Sequence, residues 1–552
     1  MLTARLHRSL AFRTAALLIA GTLPTFGAIR TVTNLNDSGP GSFRQAIQQA
    51  NTSSGDTINF ANGVTGVILL QSALPQITAS VTINGPGPAS LAIDGQQMYA
   101  CILSTANSLS ISGLTIRKCS SLHGGGVFSL GTLSLTNVDV TLNTARYDGG
   151  GIVTEGASTA LSNVNITRNS AAIYGGGLFI ASGSNSLTNV SVSGNTASDG
   201  GGIFLQQFTT LKNVSLIGNT GQVCGGIDFA SVTLTATNVS FIGNTADWWG
   251  GGLCTMGSQA VLSNATFWGN SAGIAGGAIF NNSALAIHTP SFLVNTTLLN
   301  NTAPQGGAIY SVGGTGSKVS LQNTILAGSP SGGNCWGTAF TSTGYNISDD
   351  TSCAPFLTAI GDLNNTPAGL APSPQDNGGP TLTIALQPYS LAINRIPIGT
   401  PCPLATDQRG VARPQGGGCD SGAYELAQFS EFDATLKLVS GALGHFNVDA
   451  TVAFGNPADS FNPAADAITL AIGSWSMTLP AGSVHSIGSG FWAFAGPAGG
   501  AVVTIDIQFL ADGKYRFSAI GGPIAFLPVI SPTTVSLTIG VNSGSATVPF
   551  TP

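Results

Sequence analysis

From Leu187 to Phe204 the chain runs Leu-Thr-Asn-Val-Ser-Val-Ser-Gly-Asn-Thr-Ala-Ser-Asp-Gly-Gly-Gly-Ile-Phe, with apolar positions alternating against polar ones. The alternation changes parity twice: Leu187 shares parity with Asn189, Val190 with Val192, and Asn195 with Ala197. Strand side chains switch faces at every residue, so each change of parity demands a bend. The bends fall at the two asparagines, and Asn tolerates left-handed backbone better than any residue except Gly. The glycine cluster supplies a third corner. One unit is therefore predicted to hold short strands separated by tight corners, with no helical period anywhere in it.

The unit repeats. Glycine clusters begin at Gly124, Gly149, Gly175, Gly200, Gly225, Gly250, Gly276 and Gly306, a period of about 25 residues that marks a solenoid. The asparagines recur six apart as Asn137 and Asn143, Asn163 and Asn169, Asn189 and Asn195, Asn213 and Asn219, Asn238 and Asn244, Asn264 and Asn270, and Asn295 and Asn301. Stacked coils bring equivalent asparagines about 4.8 Å apart, where their amides can bond as ladders. Asn189 and Asn213 also stand in Asn-x-Ser, but an inward ladder residue is a poor glycan acceptor.

An open first coil would expose unpaired strand groups. Ser42 is suited to N-cap a short helix within 40–51 whose face of Phe43, Ala46, Ile47 and Ala50 covers that coil. Strand-like runs at Thr57 to Phe60, Val67 to Leu70, Val81 to Asn84 and Leu91 to Asp94 lead into the regular repeats. After Leu426 the glycine period stops. Runs at Ala434 to Val439, Ile468 to Ile472, Val502 to Phe509, Tyr515 to Ala519 and Val535 to Val541, with a hairpin signal at Asp512-Gly513, predict an antiparallel β-sandwich over 428–552. Trp475, Trp492 and Phe494 are expected in its core rather than in a sugar-stacking patch.

Composition narrows the function. Charged residues are 7% of the 552, and the net charge is −6 with 17 Lys and Arg, so the electrostatic attraction that dominates nucleic-acid binding is missing. Residues 1–28, with Arg5, Arg8 and Arg13 before an apolar stretch, match an export signal too short for a membrane anchor. No later segment spans a bilayer. Eight cysteines suit an oxidising compartment. Cys335 with Cys353 and Cys402 with Cys419 lie at disulfide-like spacings, Cys101 with Cys119 can pair, and Cys224 and Cys254 are expected as buried thiols.

Gly-Gly-Ala-Ile-Phe at 276–280, Gly-Gly-Ala-Ile-Tyr at 306–310, and Phe-x-x-Asn at Phe241 to Asn244 and Phe267 to Asn270 resemble the repeats of polymorphic outer-membrane proteins. The opening Thr-Asn-Leu-Asn-Asp-Ser-Gly-Pro-Gly-Ser-Phe-Arg-Gln-Ala-Ile at 33–47 resembles the choice-of-anchor Q proteins. So do Thr-Asp-Gln-Arg-Gly-Val-Ala-Arg-Pro at 406–414 and Cys-Asp-Ser-Gly-Ala-Tyr-Glu at 419–425. The resemblance implies an all-β, right-handed parallel β-helix over 29–427, secreted or at a bacterial cell surface, with no assigned reaction. The chain departs from that group in lacking a visible sorting motif. In the closing segment Asp407, Arg409, Arg413, Asp420 and Glu425 are expected to form an ion-paired terminal cap pinned by Cys402 and Cys419, in preference to an active site.

Candidate chemistry lies in the residues that precede the glycine clusters: His123, Asp148, Tyr174, Asp199, Cys224, Trp249, Ala275 and Gln305. Of these, His123, Asp148, Tyr174, Asp199 and Trp249 form the expected ligand-binding column, and Tyr147 and Trp248 could also stack on sugar rings. Two functions of different class compete. One is a non-catalytic, adhesin-like or matrix-binding solenoid, a monomer whose partner is a polysaccharide or surface glycan. The other is a polysaccharide lyase or inverting glycoside hydrolase, for which Asp148 and Asp199 are the candidate acids, from a supply of Asp148, Asp199, Asp228 and Asp247. A lyase needs a base and usually clustered acids for calcium, and the repeats carry only Arg146, Arg168, Lys212 and His288 as basic side chains. The first function is therefore favoured, with no catalytic residues, cofactor or metal expected.

Overall fold

The computed structural model describes residues 27–230, 232–282, 290–313, 318–387, 389–397, 399–400, 402–415, 417–439, 444–454, 461–510, 513–524, 531–540 and 542–551. The export signal expected over 1–28 thus lies, but for residues 27 and 28, outside the described residues. So do Asp512 of the expected hairpin and Val541.

The repeats wind into a parallel β-solenoid of about 12 turns. Three parallel sheets run along it. The largest has 17 strands, among them Thr132–Thr141, Ser158–Thr167, Ser184–Ser193 and Thr209–Ile217. A seven-stranded sheet of very short strands and a ten-stranded sheet running from Ile102–Ser104 to Cys335–Gly337 complete the coil. Register holds from rung to rung: Leu161 pairs with Leu187 and Leu187 with Leu211, while Val164 pairs with Val190 and Val190 with Val214. Each of these side chains is buried in one continuous core.

The corners are left-handed, as the parity argument requires, but not all at the expected residue. Asn137, Asn163, Asn189, Asn213, Asn238, Asn264 and Asn295 each take φ between 51° and 58°. At the second corner the left-handed residue is the one before the asparagine: Leu142, Arg168, Gly194, Gly218, Gly243 and Gly269. Asn143, Asn169, Asn195, Asn219, Asn244 and Asn270 therefore do not make that turn. They point inward, at most 1% exposed. The shift has a physical cause, because only an inward amide can reach the main-chain groups that the corner leaves without strand partners.

Two amide columns result. The outer one runs from Asn163 to Asn264, with Asn189, Asn213, Asn238 and Asn264 each donating to the preceding rung at 2.9–3.2 Å. In the inner one, Asn195 Oδ1 accepts from both the main-chain N–H and the side chain of Asn169, at 2.9 and 3.0 Å. Its own Nδ2 donates to Asn219 Oδ1 at 3.0 Å and to the Ile166 carbonyl at 2.9 Å. The same set of bonds continues from Asn143 to Asn301.

At the start of the solenoid the helix Phe43–Ala50 forms, with Ser42 accepting from the Gln45 N–H at 3.2 Å. Its buried face joins Val32 and Ile58 in the core. At the far end Cys335–Cys353 and Leu357 close the last coil. Cys101–Cys119 and Cys402–Cys419 are also paired. Cys224 and Cys254, expected as free thiols, form a fourth disulfide.

The segment containing residues 377–426 does not sit on the end as a cap. It runs back along the solenoid flank as a strap. Gln408 reaches the Val239 carbonyl and accepts from Thr266 Oγ1 at 2.7 Å, and the Ala423 N–H donates to Thr297 Oγ1 at 3.0 Å. Beyond it, Ala427–Val439 pairs in parallel with Asn542–Val548 and then antiparallel with Gly444–Phe454, passing from one sheet to the next. The two sheets share a separate core of their own, against which Trp475, Trp492 and Phe494 pack.

The inner column sets a testable inequality. Asn219→Ala strands buried groups on two rungs and should cost about 3 kcal/mol or more. Asn189→Gly keeps the left-handed corner and gives up only half-solvated amide bonds, so it should cost about 1 kcal/mol or less. Urea denaturation midpoints of the two variants against wild type would check the order.

Candidate functional site

The site begins at the third corner. The first glycine of most clusters is left-handed, with φ of 59° at Gly149, 60° at Gly175 and 63° at Gly200. A Cβ at Gly175 would also strike the carbonyl oxygen of Leu178. This turn folds the preceding residue back over the outer face of the ten-stranded sheet. His123, Asp148, Tyr174 and Asp199 stack as parallel partners on successive rungs, and Trp249, Ala275 and Gln305 do so further along.

Cys224 does not belong to that column. The Gly201 N–H donates to the Cys224 carbonyl just as the Gly176 N–H donates to that of Gly200, so Cys224 occupies the first-glycine position of its rung. The cluster there is one glycine shorter, and this displaces the cysteine by one place relative to the others. From the corner its side chain meets Cys254, which explains why two cysteines at different points of their repeats are bonded.

Beneath the turn column lies a second column that sequence reasoning missed. In register along the ten-stranded sheet stand Phe128, Val153, Phe179, Phe204, Asp228, Cys254, Phe280, Tyr310 and Trp336. Each is the outward residue of a three- or four-residue strand whose flanking residues enter the core. The signal was present in the sequence as the second residue after the last glycine of the first six clusters, and the third after Gly277 and Gly307, where alanine replaces the final glycine. Trp249 stacks on Phe280 at 5.5 Å between centroids, Phe280 on Tyr310 at 5.0 Å and Tyr310 on Trp336 at 4.7 Å, all within 16° of parallel. Tyr174 covers Phe204 at 4.4 Å.

The polar members divide. His123 is exposed and its Nδ1 lies 3.0 Å from Asp148 Oδ2, while its ring stacks on Tyr147. Asp199 is half-buried, accepts from Ser198 Oγ at 3.1 Å, and is pushed above its ordinary pKa by that burial. Asp228 is 5% exposed, its Oδ1 has no hydrogen-bond partner, and burial, then the charge of Asp199, push its pKa up to about 7. The charge of Asp199 is thus felt at Asp228. Tyr174 stands on the rung between Asp148 and Asp199. Asp247 lies exposed on its turn.

The charged set near the C-terminal end of the solenoid is buried and internally paired. Asp407, Asp420 and Glu425 are 0% exposed. Arg409 pairs with Asp407 and Arg413 with Glu425, both at 2.7 Å, and Asp420 accepts from the Asn394 and Leu426 N–H groups. These contacts hold the strap in its path.

Two segments, residues 238–256 and 295–312, match the Chlamydia polymorphic membrane protein repeat. In these repeats the chain is similar to that family. No curated protein and no solved structure matches it. The repeat match and the four disulfides together point to an extracellular or surface-associated chain. No described helix is long and apolar enough to cross a membrane.

Asp228 gives a pH prediction. Between the unfolded pKa near 4 and the folded value of about 7, the native state holds a proton that the unfolded chain has released, so stability falls as pH rises through that window. Asp228→Asn should raise the melting temperature at pH 8 and leave it little changed at pH 4, as read by thermal unfolding at the two pH values.

Proposed function

We propose that the chain is a non-catalytic, adhesin-like surface protein that binds a polysaccharide or surface glycan along the outer face of its ten-stranded sheet. The observation that carries this reading is the continuous ring stack from Trp249 through Phe280 and Tyr310 to Trp336, whose last member is 40% exposed. Trp248, beside Trp249 at the other end of the stack, is equally exposed. The exposed rings of Trp336 and Trp248 offer flat apolar platforms for sugar rings, the stack beneath holds them in place, and His123, Asp148, Tyr174 and Asp199 add hydrogen-bonding groups on the same strip. With few basic side chains in the repeats, a neutral or weakly charged glycan suits the surface better than a polyanion. The opening motif at 33–47 and the closing motif at 406–425 support a relation to the secreted choice-of-anchor Q proteins.

The hydrolase reading has less support. It would need two free carboxylates facing across a glycosidic bond, whereas Asp148 is engaged by His123 and Asp228 is enclosed.

Affinity electrophoresis of the full chain through immobilised neutral glycans, pectins, alginate and glycosaminoglycans should show retardation on at least one neutral or weakly charged polymer. Trp336→Ala should weaken that binding about fivefold to tenfold. Release of reducing ends that disappears in Asp148→Ala or Asp199→Ala would reverse the assignment in favour of the enzyme.

A further inference from the structure

The Cys224–Cys254 bridge has a carboxylate for a neighbour. Asp228 and Cys254 are register partners on adjacent rungs of the ten-stranded sheet. Ile227, Phe229 and Leu253 around them enter the solenoid core, so strand alternation aims Asp228 and Cys254 outward together. Cys224 reaches the same point from the corner four residues before Asp228. One ligand atom from each of the three lies within 4.8 Å of the others, and all three residues are buried. Asp228 Oδ1 is unpartnered in that enclosure, where Trp249 and Phe280 pack against the sulfurs.

We propose that reduction of the Cys224–Cys254 bridge opens a site for one thiophilic divalent cation of the Zn2+ class, with Cys224, Asp228 and Cys254 as its protein ligands. A dithiol donates two electrons and two protons, the Sγ–Sγ bond breaks, and the reductant leaves as its own disulfide. The cation then displaces both thiol protons to solvent and takes two thiolates and one carboxylate oxygen. Zinc–sulfur bonds of about 2.3 Å in a tetrahedral shell hold two sulfurs about 3.8 Å apart. The Cα atoms stand 6.1 Å apart, a separation that allows this by side-chain rotation. Two sulfurs select such an ion over calcium or magnesium, and three protein ligands leave the fourth position to water. Neither the reduction nor the cation binding requires a bound glycan.

The test uses the full chain with Co2+ as the probe. After reduction by a trialkylphosphine and anaerobic desalting, wild type should expose two more titratable thiols than the Cys224→Ser/Cys254→Ser double variant. It should also bind one more Co2+, with a near-ultraviolet thiolate-to-metal band that Zn2+ abolishes. Reduction opens the other three bridges equally in both proteins, so the difference reports this site. Asp228→Asn, which keeps all eight cysteines, should retain the band and bind at least about tenfold more weakly. Equal thiol counts, equal Co2+ uptake by wild type and double variant, or unchanged affinity in Asp228→Asn would each overturn the proposal.

Discussion

The structure depends on a main chain that turns at the same places on every rung. Parallel strands pair only while their hydrogen-bonding groups stay level, and a corner displaced by one residue would send every following side chain to the wrong face. Left-handed residues meet this demand because one of them reverses the chain direction within a single peptide unit. Asn at the first corner, Gly or its occasional substitute at the second, and Gly at the third divide the task.

Corners create a second difficulty. Where strands break, N–H and carbonyl groups lose their ladder partners inside a dry core, and an unmet buried group is costly. The inner asparagines answer it with one side chain per coil. Each carbonyl accepts twice and each amide nitrogen donates twice, so the polar column is closed upon itself. A fully satisfied column of this kind specifies register as well as stability. It explains how a chain with 7% charged residues keeps polar side chains at its centre.

The same geometry produces the candidate surface. Because the third corner doubles back, the residue before it lies on the outward column of the next sheet, and two sequence positions five apart are brought into one layer. Rings meet rings along much of that layer. In its middle the regular pattern gives way to Asp228 and the Cys224–Cys254 bridge, where Cys224 replaces the first glycine of its cluster. Departures from a repeat that retain its backbone path are where side-chain chemistry differs from scaffold. The strap shows the opposite use of charge, with its Asp, Glu and Arg side chains turned inward to fasten it.

Much of the architecture was legible from local pattern. Parity changes at Asn189 and Asn195, the recurrent glycines and the helix signal at Ser42 are properties of neighbouring residues, and neighbouring residues suffice to define a coil that stacks on its own copies. The same is true of the alternating strands after Leu426. Tertiary structure decided what depends on contacts between rungs. It moved the second corner to Leu142, Arg168 and Gly194, and it paired Cys224 with Cys254. It set Asp228 rather than Asp148 beside Asp199, and it laid residues 377–426 along the flank instead of across the end. In each case the deciding interaction joins residues about one coil or more apart, and a linear pattern carries the period of such contacts without their direction.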